Sequence, residues 1–337
     1  MDKRMSRIAI IGAGAWGTGL SIVLGRKGTH PIRLWAREQE VLDCISTRRV
    51  NDRFLPGHTI PHNVSVTGNL AEALRDAEIL VSVMPSQHCR AVFRELAPLL
   101  RTDVMVVSAT KGLEESTLLR MTEVIADTTG NSRMGALSGP SFAAEVARGD
   151  PTAVAIASKD TALAETVQRE FSSPSFRVYR NDDVIGVELG GALKNIIAIA
   201  AGVCYGMGLG HNSIAALITR GLAEITRLAV ACGGHAETLA GLAGLGDLVL
   251  TCTGDLSRNR SVGVELGRGR KLPEIIAEMH GSVAEGVFTT TAAVGLARAR
   301  NIEMPITEQM YAILHGGKAP HNAIQELMTR SAKRESY

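Results

Sequence analysis

The stretch Arg7-Ile-Ala-Ile-Ile11, followed at once by Gly12-Ala-Gly-Ala-Trp-Gly17, decides the fold of the first half of this chain. The apolar residues predict a buried strand, and a G-x-G-x-x-G run between a strand and a helix is typical of a dinucleotide-binding turn. Gly12 permits the tight turn, Gly14 lets a pyrophosphate approach the backbone, and Gly17 lets helix and strand pack closely. Free amides and the dipole at the helix start would then hold the anion.

Beyond this turn, short β-branched runs alternate with helical patterns up to about residue 183. Such alternation predicts a parallel sheet covered by helices on both faces. The predicted strands are residues 8–11, 32–35, 64–66, 79–83, 104–108, 134–137, 153–157 and 176–179, with helices at 16–27, 69–76, 87–99 and 161–171 among the segments between them. Later residues are rich in Ala, Leu, Gly and Met at helical spacing. We therefore predict a Rossmann-type doubly wound parallel sheet in residues 1–185, which binds the dinucleotide, and an all-helical domain in residues 186–337, which binds the substrate.

Composition narrows the class of protein. The chain has 337 residues, 45% of them hydrophobic, which is enough for two ordinary cores. A net charge of +2 gives no electrostatic argument for nucleic acid or an anionic membrane, so we expect neither partner. The 5 cysteines are scattered without metal-ligand or redox spacing, so we expect reduced thiols in a cytoplasmic protein and no metal site. Met1-Asp-Lys-Arg4 leads directly into the first strand and leaves no room for a signal peptide.

Lys194 and Asn195 stand inside the apolar run 186–202. The surrounding stretch is long enough to cross a membrane, but its charged and amide side chains lead us to expect no membrane insertion. A buried ammonium without a partner is costly, because the charged form loses its hydration. If the run is one helix, the residues at helical spacing from the lysine are Gly190, Gly191, Ala198 and Ala201. That face would leave room for a ligand; alternatively, Lys194 reaches water along the helix surface or pairs with Glu188.

Three small or polar segments follow predicted strands: Val83-Met-Pro-Ser86, Thr110-Lys111-Gly112 and Ser138-Gly-Pro-Ser-Phe142. The carboxyl ends of parallel strands line the ligand crevice of such sheets, so we expect these segments to border the ligands. Lys111 is placed to reach a phosphate or a carbonyl oxygen, although it is also compatible with an ordinary surface lysine.

Arg37 and Glu38 follow the second predicted strand. An arginine there accommodates the 2′-phosphate of NADP, whereas an acidic residue holds the ribose 2′-hydroxyl of NAD. We predict NADP as the cofactor, with NAD as the alternative. Both residues are also compatible with a simple capping role at the next helix.

Two segments of the second half have the chemistry of a substrate site: Gly244-Leu-Gly-Asp247 and Ser257-Arg-Asn-Arg260. Asp247 lies in a glycine-flanked apolar segment, so its carboxylate needs a partner. Ser257 is the expected N-cap of a helix that starts near Arg258. Serine, arginine and asparagine at a helix start suit a phosphate. The alternative is a solvated basic first turn, which is unfavourable at a helix N-terminus unless an anion offsets it.

Together these segments closely resemble the NAD(P)-dependent glycerol-3-phosphate dehydrogenases of bacterial type, nearly from end to end. The segments that carry the resemblance are Gly12-Ala-Gly-Ala-Trp-Gly17, Ala109-Thr-Lys-Gly-Leu113, Ser138-Gly-Pro-Ser141, Gly190-Gly-Ala-Leu-Lys-Asn195, Thr219-Arg-Gly-Leu-Ala-Glu224, Ala243-Gly-Leu-Gly-Asp-Leu248, Ser257-Arg-Asn-Arg260 and Glu303-Met-Pro-Ile-Thr307. The glycine fingerprint is shared with many dehydrogenases. The segments around Lys194, Asp247 and Arg258, in this order, are far more specific.

The resemblance implies reversible reduction of dihydroxyacetone phosphate to sn-glycerol 3-phosphate for phospholipid synthesis. It also implies a helical domain similar to the C-terminal domain of 6-phosphogluconate dehydrogenases, and the apolar excess of that domain is compatible with a homodimer. The implied catalytic residues are Lys194, as acid/base, and Asp247. The implied substrate-binding residues are Lys111, Gly139, Ser141, Lys194, Asn195, Asp247, Thr251, Ser257, Arg258 and Asn259. The implied cofactor-binding residues are Gly12, Gly14, Ala15, Trp16, Gly17, Arg37, Lys111, Ala143, Arg258, Val283 and Glu285. Ala284 and Phe288 depart from the pattern usual in the family around the last two.

Two other functions remain open at this point. Dehydrogenases of the 6-phosphogluconate or β-hydroxyacid type also place a lysine and an asparagine on the first helix of the helical domain. Against them, Ser257-Arg-Asn-Arg260 suits a compact phosphate better than a sugar acid. A nucleotide-sensing protein without catalysis is the second alternative, and the presence of Lys194, Asp247 and Arg258 argues against it.

Overall fold

The computed structural model describes residues 6–279, 283–332 and 334–335. Its sheet has 8 strands in the order β3-β2-β1-β4-β5-β6-β7-β8. The strands are β1 (Ile8–Ile11), β2 (Ile32–Trp35), β3 (Val64–Thr67), β4 (Ile79–Ser82), β5 (Met105–Ser108), β6 (Met134–Ser138), β7 (Thr152–Ala157) and β8 (Phe176–Asn181). All of the predicted strands are confirmed with small shifts of their ends. Residues 1–4, on which the prediction of no signal peptide depended, lie outside the described residues.

The direction of the strands matches the predicted doubly wound sheet except at one pair. Every neighbouring pair is parallel apart from β6 and β7, which are antiparallel. Strand and helix periodicity reveals that an element exists, but it does not fix the direction of a single strand, so this pair was not predicted. The strand order reverses between β1 and β4, and ligands bind beyond the carboxyl ends of strands at such a switch point.

Strand β1 shows why the sheet needs helices on both sides. Its alternate residues Ile8 and Ile10 belong to one buried cluster, whereas Ala9 and Ile11 belong to another on the opposite face. The covering helices are α1 (Ala15–Arg26), α2 (Gln39–Arg48), α3 (Leu70–Leu74), α4 (Cys89–Leu96), α5 (Met121–Thr129), α6 (Ala143–Arg148) and α7 (Thr161–Phe171). The helix predicted at 87–99 is shorter than expected, because its two ends are separate 3₁₀ turns, the second containing Pro98.

The second half of the chain is helical, as predicted, and within its described residues no strand follows β8. Its helices are α8 (Val184–Gly206), α9 (His211–Ala231), α10 (Ala236–Leu239), α11 (Asp247–Thr253), α12 (Arg258–Gly267), α13 (Leu272–Glu278), α14 (Glu285–Ala299), α15 (Pro305–Gly316) and α16 (Pro320–Met328). The expected division after residue 185 falls in the first turn of α8.

Helix α8 is the centre of this half, and the apolar run around Lys194 is one helix, as the helical spacing required. The Asp183 side chain caps it by accepting a hydrogen bond from Gly186 N at 2.8 Å. Helices α9, α11, α12 and α14 pack around it. A Cβ on Gly202 would lie 2.1 Å from the Arg260 carbonyl oxygen, so glycine is what lets α12 come this close. Within the described residues α8 is long and apolar enough to cross a membrane, but 83% of its most apolar window is buried in protein.

Candidate active site

The glycine-rich turn has the geometry that each glycine was expected to supply. Gly12 has φ +121°, and a Cβ there would lie 2.1 Å from the Val83 carbonyl oxygen, at the switch point between β1 and β4. A Cβ on Gly17 would lie 1.8 Å from the Gly12 carbonyl oxygen, whereas one on Gly14 would meet nothing within 4 Å. Among the described residues, no side chain caps the first amides of α1. The space above Gly14 and these amides therefore fit the pyrophosphate of a dinucleotide.

Two side chains near this turn add polar groups. The indole Nε1 of Trp16 is buried and has no hydrogen-bond partner within the part of the chain that the structure describes. Asn51 is fully buried and donates from Nδ2 to the Ala13 carbonyl oxygen and to Thr18 Oγ1, both at 2.8 Å. Asn51 therefore holds the turn in place. Asn51 was not predicted, because no local pattern in the sequence indicates a contact between residues so far apart in the chain.

Arg37 and Glu38 lie just beyond β2, whose last residue, Trp35, accepts a hydrogen bond from Gly12 N of the glycine-rich turn at 3.2 Å. Arg37 is exposed and Glu38 is partly exposed. Glu38 occupies the N-cap position of α2, but its side chain makes no capping hydrogen bond. The capping alternative is therefore wrong for Glu38.

Asp247 joins two lysines from the two halves of the molecule. Its Oδ1 accepts a hydrogen bond from Lys194 Nζ at 2.7 Å, and its Oδ2 accepts one from Lys111 Nζ at 2.5 Å. Lys194 Nζ also donates to Thr251 Oγ1 at 2.5 Å, and that hydroxyl donates to the Asp247 carbonyl oxygen at 2.6 Å. The partner that Asp247 required is thus a pair of ammonium groups, and Lys111 is not an ordinary surface lysine.

Burial changes the proton affinity of Lys194. Its side chain is 7% exposed, and the loss of hydration lowers its pKa to about 8. The charge of Asp247 opposes this shift, while that of Lys111 adds to it. Both alternative interpretations of Lys194 are wrong. Its side chain does not reach bulk water, and it does not pair with Glu188, because Glu188 bonds with Arg120 and Thr122.

The small residues beside Lys194 do not leave the open face that the sequence led us to expect. A Cβ on Gly190 would lie 2.5 Å from the Ala243 carbonyl oxygen, and one on Gly191 would lie 2.5 Å from Ser138 Oγ. These glycines therefore let α8 approach the main chain near Ala243 and the end of β6. The approach brings Lys194 within reach of Asp247, because the glycine-rich segment before α11 packs directly on α8.

That segment has an unusual backbone. Residues Leu242–Gly246 form a short π-helical turn, in which Gly246 N donates to the Gly241 carbonyl oxygen at 3.1 Å, and α11 begins at Asp247. A Cβ on Gly244 would lie 2.0 Å from the Leu239 carbonyl oxygen. Turns of this kind are rare and occur frequently at functional sites. Here the turn places Asp247 between the two lysines.

The start of α12 confirms the predicted cap. Ser257 Oγ accepts from Arg260 N at 3.2 Å, which leaves the hydroxyl proton free to donate. Arg258 is exposed and makes no hydrogen bond or ion pair within the described residues, although partial loss of hydration lowers the pKa of its guanidinium. Arg260 differs, since it bonds with Asp255 at 2.8 Å and stacks over Tyr205. Of the two arginines, Arg258 is the one available to an anion.

The side chains of Asn259 and Glu285 form hydrogen bonds with other protein groups. Asn259 Nδ2 donates to Asn195 Oδ1 at 3.0 Å, and Asn259 Oδ1 accepts from Gly286 N at 2.9 Å. Glu285, at the start of α14, accepts from Ser86 N at 3.1 Å and from Ser86 Oγ at 2.6 Å. Burial raises the pKa of the Glu285 carboxyl, while its bonds to Ser86 and the charge of Arg258 oppose the shift. Val283 lies just before α14.

The remaining predicted residues lie at the carboxyl ends of β5 and β6. Lys111 Nζ donates to the Gly139 carbonyl oxygen at 3.3 Å, and Ser141 Oγ donates to the same oxygen at 2.9 Å. Ala143 starts α6 and packs on α1 near Gly19. Six of the substrate residues implied by the resemblance are thus joined by hydrogen bonds: Lys111, Gly139, Ser141, Lys194, Asp247 and Thr251. Asn195 and Asn259 bond with each other apart from this cluster. Within the described residues, no group of three or more His, Cys, Asp or Glu side chains is placed to hold a metal ion.

Comparisons with known proteins agree with this architecture. The family described as NAD-dependent glycerol-3-phosphate dehydrogenase N-terminus matches residues 7–164, and the corresponding C-terminus family matches residues 183–325. A glycerol-3-phosphate dehydrogenase [NAD(P)+] of Koribacter versatilis is 66% identical over 99% of this chain and 100% of its own length. That of Geobacter sulfurreducens is 54% identical over 98% and 99%. The crystal structure of a glycerol-3-phosphate dehydrogenase from Coxiella burnetii superposes with a TM-score of 0.93 at 43% identity, covering 97% of this chain and 99% of that one.

Proposed function

The chain belongs to the NAD-dependent glycerol-3-phosphate dehydrogenase family, and from this premise we propose that it reversibly reduces dihydroxyacetone phosphate to sn-glycerol 3-phosphate with NADP or NAD. It is an oxidoreductase that acts on a CH–OH group. The observation that carries the proposed mechanism is the Lys111–Asp247–Lys194 cluster, which lies where the two halves of the molecule meet.

The sheet edge provides the cofactor site. Within the part of the chain that the structure describes, the space above Gly14 is open, the start of α1 is uncapped and the Trp16 indole has no hydrogen-bond partner, which supports binding of the dinucleotide here. A nicotinamide held at this edge would supply the hydride for reduction of C2 of the ketone. Exposed Arg37 supports a preference for NADP, because a guanidinium there pairs with a 2′-phosphate. The other residues that we assign to the dinucleotide are Gly12, Ala15, Gly17, Lys111, Ala143, Arg258, Val283 and Glu285.

Lys194 acts as the acid in reduction and as the base in oxidation. An ammonium has three donors, of which Asp247 and Thr251 take two. The third is available to the substrate oxygen, to which Lys194 gives a proton as the hydride arrives at C2. A pKa of about 8 suits this role, because the ideal acid/base has a pKa near the working pH.

Lys111 has the complementary position on the other oxygen of Asp247. It also bonds with the Gly139 carbonyl oxygen, which leaves one donor for the substrate. Asp247 therefore fixes the separation of two cationic groups on either side of one carboxylate. With Gly139 and Ser141 at the same edge, this arrangement supports binding of a small polar ketone.

The start of α12 binds the substrate phosphate. Arg258 supplies a guanidinium without a protein partner among the described residues, and Ser257 supplies a hydroxyl proton. Oriented amides at the helix start add to this site. Binding of the remote phosphate then positions C2 for the hydride.

The test is a parallel assay of dihydroxyacetone phosphate with NADPH and with NADH, following absorbance of the reduced nicotinamide. We expect turnover with both, and faster turnover at low cofactor concentration with NADPH. Absence of turnover with either cofactor would contradict the proposal. Turnover on 3-hydroxy acids in place of dihydroxyacetone phosphate would favour the β-hydroxyacid dehydrogenases instead.

The cellular setting is also part of the proposal. We place the enzyme in the cytoplasm, where it supplies glycerol 3-phosphate for phospholipid synthesis, and the free cysteines support a reducing compartment. We propose that residues 1–185 form the dinucleotide-binding domain and that residues 186–337 form the substrate domain. Exposed apolar side chains on the helical half, including Leu245, Val249 and Leu256, support a homodimer. Light scattering after size-exclusion chromatography measures the mass, and a monomer would contradict the dimer.

A further inference from the structure

Lys111 is followed by a loop whose two ends are bonded to each other. Leu113 and Arg120 form an antiparallel bridge across the base of residues 113–120, which we call the closed loop. The Leu113 side chain is fully buried and lies in the apolar core of the helical half. Because Lys111 comes only two residues before this base, the place where the closed loop is held also limits where the Lys111 side chain can reach.

Glu188 holds the end of the closed loop on α8. Its Oε2 accepts hydrogen bonds from Arg120 Nη1 and, at 2.6 Å, from Thr122 Oγ1. Its Oε1 accepts at 2.8 Å from Thr122 N, which is one of the amides in the first turn of α5 that have no partner within that helix. One carboxylate of the helical half therefore holds both the last residue of the closed loop and the helix that follows it.

The helix that carries Glu188 also carries Lys194, six residues later. An α-helix rises about 1.5 Å per residue, so the two side chains leave α8 about 9 Å apart along its axis, and they leave it on different faces. Glu188 bonds with the start of α5, whereas Lys194 bonds with Asp247. Helix α8 thus connects the closed loop, which limits the position of Lys111, with the second lysine that bonds with Asp247.

We propose that Glu188 is a positioning residue, which holds the closed loop against α8 so that Lys111 and Lys194 bond with the two oxygens of Asp247 at the same time. The inference rests on the proposed function, because it requires both lysines to face the substrate ketone. Loss of this contact lets the closed loop move away from α8, and Lys111 then leaves Asp247.

A second carboxylate, Glu114, holds the closed loop on the half of the molecule to which the loop belongs. It accepts from Arg90 Nε and Nη2 of α4, both at 2.8 Å, and from the hydroxyl of Thr117. Its side chain is 11% exposed, close to the 6% of Glu188. Each of the two carboxylates is thus buried and bonds with one arginine and one threonine, but they hold the loop on opposite halves.

The pH dependence of reduction reports the position of Lys111. The charged and titratable groups that act on Lys194 are Lys111 and, on α11, Asp247 and Cys252, and the charge of Lys111 lowers the pKa of Lys194. If Lys111 leaves, this repulsion ends and the pKa of Lys194 rises. A variant that only loses stability contains less folded enzyme, but the pH at which kcat/KM for reduction has fallen by half, the pH midpoint, stays the same.

The substitution Glu188→Gln tests this role. It removes the charge that holds the loop, while Arg120 keeps its ion pair with Glu123 at 2.6 Å, which favours retention of the fold. We expect kcat/KM for dihydroxyacetone phosphate at pH 7 to fall about tenfold, because the substrate loses a hydrogen bond from a charged donor. The pH midpoint should rise by about one pH unit.

Glu114→Gln is the matched control, in which the pH midpoint should stay at about 8. An unchanged midpoint in Glu188→Gln, or an equal rise in Glu114→Gln, would overturn the proposal.

Two further variants complete the test. Thr122→Val removes one hydrogen bond to Glu188 and keeps the carboxylate, so we expect a smaller rise of the pH midpoint. If Glu188→Gln does not fold, an unchanged midpoint in Thr122→Val overturns the proposal. In a Lys111→Met background, Glu188→Gln should cause no further rise, because its effect passes through Lys111; a further rise would contradict the inference. Absence of turnover in the wild-type protein would instead contradict the proposed function itself.

Discussion

At the glycine-rich edge of the sheet, backbone groups are available to contact a ligand, whereas at the centre around Asp247 the available groups are charged side chains. At the edge, Gly12 and Gly17 pack so closely on the main chain that a Cβ on either would overlap a carbonyl oxygen, while Gly14 leaves space for a ligand. At the centre, Lys111, Lys194 and Asp247 come from different parts of the chain and meet through hydrogen bonds. The edge therefore depends on the absence of side chains and the centre on their charge, so substitutions in the two regions should fail in different ways.

The largest expected effect is that of Lys194→Ala. Removal of a general acid typically costs 10²- to 10⁴-fold, so we expect kcat to fall by about 10³-fold. Binding of NADPH, measured by fluorescence titration, should stay normal, because the cofactor edge is built from main chain. Near-normal turnover in this variant would eliminate Lys194 as the acid/base.

Asp247→Asn should reduce both activity and stability. It leaves two ammonium groups without their shared carboxylate, and breaking a buried pair from one side costs about 3–5 kcal/mol in the free energy of unfolding. The matched control is Asp255→Asn, whose side chain is 94% exposed in its pair with Arg260. Loss of that pair should cost about 1 kcal/mol or less. If urea unfolding shows the same loss in the free energy of unfolding for both variants, burial of the Asp247 cluster does not make its ion pairs more stabilising than an exposed pair.

The pH dependence of reduction follows from Lys194. Its pKa of about 8 means that the acid is protonated below this pH and loses its proton above it. The kcat/KM for dihydroxyacetone phosphate should therefore be flat at lower pH and fall about tenfold per unit above about 8. Oxidation of glycerol 3-phosphate needs the neutral amine, so its kcat/KM should rise through the same range. Identical profiles for the two directions would conflict with this assignment.

The smallest effect is expected at the cofactor edge. A Cβ on Gly14 would meet no protein atom within 4 Å, so Gly14→Ala should fold normally. It should nevertheless weaken dinucleotide binding by roughly tenfold, about 1.4 kcal/mol, because the added methyl group fills the space for the pyrophosphate. Gly12→Ala is the contrasting variant, and its Tm should fall sharply. Calorimetric titration measures the affinity for the dinucleotide, and thermal melting measures the Tm. An unchanged affinity in Gly14→Ala would show that the pyrophosphate does not bind beside Gly14.

The same contrast explains what the sequence revealed. The Ser257 cap is local, because Ser257 Oγ accepts from the backbone N–H of Arg260 in the next turn of the chain. The glycine-rich turn was predicted from the spacing of its glycines, although the close approach of Gly12 to Val83 joins distant parts of the chain. The neighbours of Lys194 were misread, because the sequence does not show that Gly190 and Gly191 meet Ala243 and Ser138.

Long-range hydrogen bonds are the other feature that the sequence did not predict. Asn51 supports a turn 38 residues away, and Asn259 bonds both with Gly286 N and with the Asn195 side chain. Neither produces periodicity or spacing in the sequence, because each depends on how separate elements pack. The direction of β7 and β8, which run opposite to the other strands, escaped prediction for the same reason.

The burial of α8 has a consequence for synthesis of the protein. The helix is complete at Gly206, but α12, which packs closely on it, starts only at Arg258. At about 5–20 residues per second, a nascent chain waits several seconds before this cover emerges from the ribosome. During that time the long apolar helix lacks the contacts with α12 that cover it in the folded protein. Lys194 lies near its middle, where a lysine disfavours insertion by about 2.5–3.5 kcal/mol. The side chain proposed for catalysis therefore also makes insertion of an uncovered α8 into a bilayer less favourable.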